Sequence, residues 1–284
     1  MLDDILTLAR SVGWGAADVL RRYYRGEFDL DIQKASSDPV TAADLAANTY
    51  ILERLQGALG HEEFGYLSEE TFQPGVTPYP QRYVWIIDPL DGTRDFIQKT
   101  GEYAVHIALT EGGRPILSVV VWPEQEVLYY ATLGGGAFAE GRDGVARQIE
   151  VKECDKFEDM RLVISRSHRD DRFDALLKRL PQTQQTFVGS VGCKIATILE
   201  GRADFYLSLT TKSAPKDWDL AAPELILTEA GGRFTHFDLS PIVYNQADVA
   251  QWGGFLASTG QGHDELCGLT ARILVELDGE AAAG

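Results

Sequence analysis

From Tyr83 to Asp88 the chain runs apolar through Val84, Ile86 and Ile87, then meets Asp88-Pro89-Leu90-Asp91-Gly92-Thr93, two carboxylates bracketing a Pro-Leu step. A β-branched run closed by Pro-x-Asp-Gly reads as a strand that ends in turn chemistry. Both Asp side chains then sit at one strand end, so a buried run terminates in paired anions. That arrangement needs a cation. Two carboxylates and the Leu90 carbonyl are hard oxygen ligands of the kind Mg²⁺ takes. An isolated Asp-Gly would be a plain turn, but other acids in the chain fit the same site.

Glu69-Glu70 lies upstream and Asp217-Trp218-Asp219 far downstream. An adjacent Glu pair standing alone reads equally well as a solvated loop. The second station opens Leu220 to Leu227, an apolar stretch stopped by Gly231-Gly232 and so a buried helix. Pro223 is tolerated only near a first turn, which places Asp219 at or close to the N-cap. A carboxylate on so apolar a helix must be paired or bound to metal. Thr41 and Asp44 match a Ser/Thr-x-x-Asp/Glu capping box at the head of a helix whose Leu45, Leu52, Leu55 and Leu59 approximate one face. Taken alone, Asp44 is a cap. A capped helix end is also a rigid place to hold a carboxylate.

Together these motifs resemble the inositol monophosphatase superfamily of Mg²⁺-dependent phosphomonoesterases: Asp-Pro-Leu-Asp-Gly-Thr, an upstream Glu-Glu and a downstream Trp-Asp, in order, over nearly the whole chain. Within it the chain is most similar to the CysQ-type 3'(2'),5'-bisphosphate nucleotidases. The stretches that carry this are Asp38 to Asp44, Leu67 to Glu70, Asp95 to Ile97 with Gly101 to Tyr103, and Ser165-Arg166-Ser167-His168. The resemblance implies an α+β, two-lobed, layered αβαβα sugar-phosphatase fold. It implies that Glu69, Asp88, the Leu90 carbonyl, Asp91 and Asp219 bind two or three Mg²⁺ ions. Asp44 and Thr93 would orient and deprotonate the attacking water. Substrate contacts would come from Gly92, Thr93, Ser165, His168, Ser190, Lys194 and Asp219. Alone, Lys194 reads as an exposed helical lysine.

The implied reaction removes the 3'-phosphate of adenosine 3',5'-bisphosphate, a by-product of sulfate assimilation, with sensitivity to lithium. Because the phosphoryl transition state is loose, positioning and charge should do the catalysis, without a phospho-enzyme. Ser190 and Lys194 stand four apart where many nucleotidases have three, and Lys212 occupies the place of a Glu in inositol phosphatases. A broader sugar-phosphate phosphatase, acting on inositol phosphate or fructose bisphosphate, is the alternative. A non-catalytic regulatory protein on the same fold would have lost a ligand, and none is missing.

At 284 residues and 44% hydrophobic, the chain can bury one large core or two moderate ones. The net charge of −17 argues against nucleic acid, while bound metal can invert the local field for a small anionic substrate. Three widely spaced cysteines suggest a reducing cytoplasm, and the acidic start at Met1-Leu2-Asp3-Asp4 supports neither export nor a membrane span. A homodimer is left open.

Along the chain, Leu2 to Arg25 is an amphipathic helix with Ile5, Leu8, Val12, Val19, Leu20 and Tyr23 inward and a bend near Gly13-Trp14-Gly15. The Thr41 helix and an acidic loop follow. Strands at 83–88, 103–110, 116–122 and 127–133 predict a largely antiparallel sheet. Gly134-Gly135-Gly136 reads as a glycine turn and no nucleotide loop. The charged stretch near 150–159 divides the chain into an N-terminal α+β metal-binding lobe (1–155) and a C-terminal α/β substrate-binding lobe (156–284). In the latter, strands at 161–164, 204–209, 233–237 and 255–258 alternate with helices at 171–180, 191–200 and 264–277.

Overall fold

The computed structural model describes residues 2–34, 39–152, 154, 156–166, 171–182, 184–210 and 213–283. The chain opens with helix α1 (Leu2–Tyr24), an antiparallel ribbon of β1 (Gln33–Lys34) and β2 (Pro39–Val40), and helix α2 (Ala42–Leu59). Seven strands then lie side by side in chain order: β3 (Phe64–Ser68), β4 (Tyr83–Asp91), β5 (Ala104–Glu111), β6 (Arg114–Trp122), β7 (Val127–Thr132), β8 (Gly136–Gly141) and β9 (Ala146–Ile149). A short helix α3 (Thr93–Ile97) follows β4. In this sheet β3 and β4 pair in parallel and the other neighbours are antiparallel, joined by short connections except between β4 and β5, where α3 intervenes.

The second half supplies β10 (Leu162–Ile164), α4 (Asp171–Leu177), β11 (Gln185–Phe187), α5 (Val191–Leu199), β12 (Phe205–Ser208), α6 (Asp217–Glu229), β13 (Arg233–His236), β14 (Phe255–Ser258) and α7 (His263–Ala283). Its five strands run in the order β11-β10-β12-β14-β13, the first three parallel.

Side-chain alternation turns these elements into layers. On β4, Val84 and Ile86 face one core while Trp85 and Ile87 face another, as the two-residue period of a strand requires. The odd face packs on α1 and α2, and the even face packs on α5 and α6. On β12, Tyr206 points back to the α5–α6 layer, and Phe205 and Leu207 point outward to a third core with α4 and α7. The order is therefore αβαβα, as the resemblance implied. The central core takes residues from Leu67 to Ala257, so both sheets share it. Each fully buried Leu or Ile in these cores contributes about 1.5–3 kcal/mol.

Several local expectations change. Helix α1 runs unbroken through Gly13-Trp14-Gly15, and those glycines serve close approach: a Cβ on Gly15 would fall 2.1 Å from the Tyr50 hydroxyl, and one on Gly13 would fall 3.0 Å from Val119. The inward face of α2 is Ala43, Ala47, Ile51 and Leu55, leaving Leu45 exposed. β3 occupies part of the expected acidic loop, and all five of its residues are buried. The glycine turn ties the sheet to a helix. The N–H groups of Gly134 and Gly136 hold the Glu229 carboxylate of α6 at 2.8 and 2.9 Å.

Candidate active site

The centre of the site is a bulge in β4. Asp88 pairs with His106 and Asp91 with Ala104, so three steps along β4 match two along β5. In an unbroken strand, residues three apart point to opposite faces; the extra residue here brings both carboxylates to the face that looks onto α5 and α6. Asp88 is buried, and its Oδ1 accepts the Leu90 N–H at 2.9 Å, which closes the Pro-Leu step. Gly92 follows at φ 93°, and a Cβ there would lie 2.9 Å from the Glu102 carbonyl.

Helix α2 brings the second element. Thr41 caps it by accepting the Ala43 N–H at 3.1 Å, and Asp44 Oδ2 returns to accept the Thr41 N–H at 2.8 Å and the Thr41 hydroxyl at 2.6 Å. The capping box therefore forms as read. Its other oxygen, Oδ1, lies 3.1 Å from Thr93 Oγ1, which is also 3.2 Å from the Leu90 carbonyl. Ser68 at the end of β3 donates to Asn48 of α2 at 2.7 Å, which places Glu69 and Glu70 beside this pair.

The third element is the first turn of α6. Asp219 is the third residue of the helix, not its cap, and accepts the Lys216 N–H at 2.6 Å. Pro223 sits well inside the helix. Having no N–H, it cannot make the i+4 helix bond that other residues donate. Asp217 is occupied elsewhere, in bracing a loop. Buried, it accepts from the Asn245 N–H and the Gln251 amide, both at 2.7 Å, and burial pushes its carboxyl up to about 6.

One oxygen each from Asp88, Asp91 and Asp219 falls within 4.8 Å of the others. Burial, and then the charges of Glu69, Asp91 and Asp219, push Asp88 well above the ordinary carboxylate range. Desolvation, followed by Asp219, Glu70 and Asp44, pushes Glu69 up as well; the residue keeps an exposed face, so the repulsion is the sturdier cause. Glu70 rises to about 7 through burial and the charge of Asp44. Acids this mutually repulsive need a positive partner. A carboxylate donor set without thiolate fits a hard divalent cation of the Mg²⁺, Ca²⁺ or Mn²⁺ kind.

Helix α5 adds the counterweight. Its cap Ser190 accepts the Cys193 N–H at 3.2 Å and donates to Asp91 Oδ2, which also receives the Gly192 N–H at 3.2 Å. The amino end of the helix thus steadies one anion of the cluster. Lys194 is buried, contrary to its reading as an exposed helical lysine. It donates to the Gly189 carbonyl and lies 5.1 Å from the Tyr206 ring centroid. Burial draws its ammonium down, while Asp91, Asp95 and Asp219 oppose that fall.

Ser165 is half-buried next to the Tyr206 hydroxyl. Its neighbour Arg166 is held by Glu102 at 2.9 and 3.1 Å and lies 3.5 Å from Asp95. Glu102 Oε2 also accepts the Gly189 N–H at 2.8 Å, so this knot straps the turn before α5 to α3 and the segment leading into β5. His168 and Lys212 lie outside the described residues. Sequence reasoning missed His106, buried on β5 with its Nε2 3.3 Å from Asp91 Oδ2. The available signal was a lone imidazole in the apolar run Ala104-Val105-His106-Ile107-Ala108.

A protein from Escherichia coli K12 described as 3'(2'),5'-bisphosphate nucleotidase CysQ is 37% identical over 262 residues, 91% of this chain and 99% of its own. A protein of the same description from Salmonella typhimurium is 40% identical over 81% of this chain and 88% of its own. Among solved structures, CysQ from Bacteroides thetaiotaomicron superposes with a TM-score of 0.73 at 26% identity, covering 90% of this chain and 97% of that one. An IMPase of Thermotoga maritima reaches 0.79 at 25% identity, covering 96% and 99%. The family model described as the inositol monophosphatase family matches residues 1–274, and with that near-complete span the chain belongs to the inositol monophosphatase family.

Proposed function

We propose that this chain is a Mg²⁺-dependent phosphomonoesterase that removes the 3'-phosphate of adenosine 3',5'-bisphosphate to give AMP and phosphate. The observation that carries the reading is the meeting of Asp88, Asp91 and Asp219 within 4.8 Å, beside a Thr93–Asp44 pair. The nucleotide substrate is supported by the relatives described as 3'(2'),5'-bisphosphate nucleotidases.

Asp88, Asp91, Asp219, Glu69 and the Leu90 carbonyl would hold two or three Mg²⁺ ions. Bound there, Mg²⁺ supplies polarisation of water and neutralisation of the charge that grows on the phosphoryl oxygens. The chain's own proton path is short. Thr93 Oγ1 can give its proton to Asp44 Oδ1 across 3.1 Å while taking one from the attacking water. Burial raises the Asp44 carboxyl, which makes it a better base than an exposed aspartate. Gly92 lets the backbone approach the phosphate without a Cβ in the way. Ser190 and Lys194, both buried, act through Asp91 and the Gly189 turn. Ser165 and His168 are left to meet the nucleoside.

Among the described residues, no helix is long and apolar enough to cross a membrane. The reading places the enzyme in the cytoplasm, clearing a by-product of sulfate assimilation and inhibited by lithium. Its test is phosphate release measured side by side from adenosine 3',5'-bisphosphate, inositol 1-phosphate and fructose 1,6-bisphosphate with Mg²⁺. The nucleotide should give the highest kcat/KM. A preference for either sugar phosphate would replace the nucleotide reading with a sugar phosphatase.

A further inference from the structure

One buried side chain facing the acid cluster takes no part in the proton path or the ligand set. His106 is fully buried and sits opposite Asp88 on the neighbouring strand. Its Nε2 edge lies 3.3 Å from Asp91 Oδ2, and its Nδ1 edge lies 3.3 Å from the carbonyl of Trp218, one residue before Asp219. The surroundings are cut to this ring. A Cβ on Gly192 would fall 2.3 Å from Nε2 and 2.9 Å from Val120, so α5 closes over the imidazole only because residue 192 is glycine. A residue needed for volume alone would be apolar here. Instead, the ring sits between oxygens of two stations more than a hundred residues apart in sequence: Nδ1 is within hydrogen-bond reach of the Trp218 carbonyl, while buried Nε2 faces Asp91 Oδ2 without a hydrogen bond.

We propose that His106 is a positioning residue that fixes the distance between Asp91 and Asp219 and thereby sets the cluster's affinity for a divalent cation. It rests on the reading of the cluster as a cation site. The imidazole is a rigid spacer. One edge packs at 3.3 Å against Asp91 Oδ2, the oxygen that Ser190 and the Gly192 N–H hold; the opposite edge meets the Trp218 carbonyl in the first turn of α6. Groups that orient ligands in this way typically change metal affinity by about 10–100-fold when removed.

The test is calorimetric titration of Mg²⁺ into the substrate-free protein. Asn at this position reaches only as far as Nδ1, and Gln as far as Nε2, so the two replacements separate the contacts. His106→Asn should weaken Mg²⁺ binding about tenfold, and His106→Gln should recover it to within about threefold. Unfolding temperatures in EDTA report the packing cost of each replacement apart from Mg²⁺ binding, and the methylene missing from this buried site should make His106→Asn the lower of the two. Wild-type affinity in His106→Asn, or equal losses in the two variants, overturns the proposal. Selective ¹⁵N-histidine labelling of the wild-type protein gives a reading that needs no variant. Saturating Mg²⁺ should shift the His106 Nε2 resonance, and an unmoved resonance overturns the proposal even if both variants fail to fold. Absence of Mg²⁺ binding by the wild type would instead bring down the cation-site reading on which it rests.

Discussion

Replacing Asp88 by Asn should stabilise the metal-free protein, the opposite of what a polar change at a fully buried position usually does. Asn keeps an oxygen for the Leu90 N–H that Asp88 now accepts at 2.9 Å, so the β4 bulge survives. What disappears is a charge that burial and three neighbouring carboxylates already oppose. Two unit charges at the triad's 4.8 Å limit repel by about 3.5 kcal/mol at an effective dielectric near 20. Protonation, water and counter-ions relieve much of that, leaving a gain of about 1–2 kcal/mol. For a chain of this size, that raises the unfolding midpoint by roughly 2–8 °C. The assay is thermal unfolding of both proteins in EDTA and again in saturating Mg²⁺. The wild type should gain stability with Mg²⁺, while Asp88→Asn should start higher and gain almost nothing. A midpoint lowered in EDTA, with the Mg²⁺ response intact, would refute the reasoning.

Thr93→Ala should lower kcat about a hundredfold and leave KM within about threefold, because the hydroxyl acts on the proton rather than on binding; steady-state kinetics with an unchanged kcat would remove it from the mechanism. Ser190→Ala removes the α5 cap and the donor to Asp91, so it should cost about 1–2 kcal/mol in denaturant unfolding and weaken Mg²⁺ binding. Unfolding and binding equal to wild type would contradict the contact. Glu70, raised from 4.5 to about 7, contributes stability that is complete below its unfolded pKa and lost as pH rises through its folded one. The midpoint in EDTA should therefore fall between about pH 5 and 8, with Mg²⁺ restoring more at the upper end; a midpoint that climbs over that range would contradict the sign.

Much of the fold and site is legible where a local rule fixes the outcome. Thr41 and Asp44 spell a capping box, and that box forms. Asp88 to Asp91 spells an apolar strand running into turn chemistry, and the acids lie at a strand end. The register is less accessible: that Asp88 and Asp91 share a face depends on the bulge against β5, which only pairing reveals. Pro223 belongs by rule in a first turn, which would put Asp219 at the cap, yet the helix starts earlier and tolerates the proline inside. Lys194 reads as exposed from charge alone, whereas tertiary closure buries it under Tyr206 and the Gly189 turn. Counting leucines turns Leu45 inward, but small Ala43 and Ala47 face the sheet because α2 lies close to it. His106 and the Glu102–Arg166 strap join segments far apart in sequence, and no local pattern announces such contacts.

The central claim is that carboxylates from β4 and α6 gather around divalent cations. Crystals grown with Mn²⁺ and measured at its absorption edge test this most directly. The account predicts anomalous peaks bounded by Asp88, Asp91 and Asp219, with the Leu90 carbonyl or Glu69 completing the shell. Fully occupied Mn²⁺ at other places on the molecule, with no peak among these three residues, would contradict it.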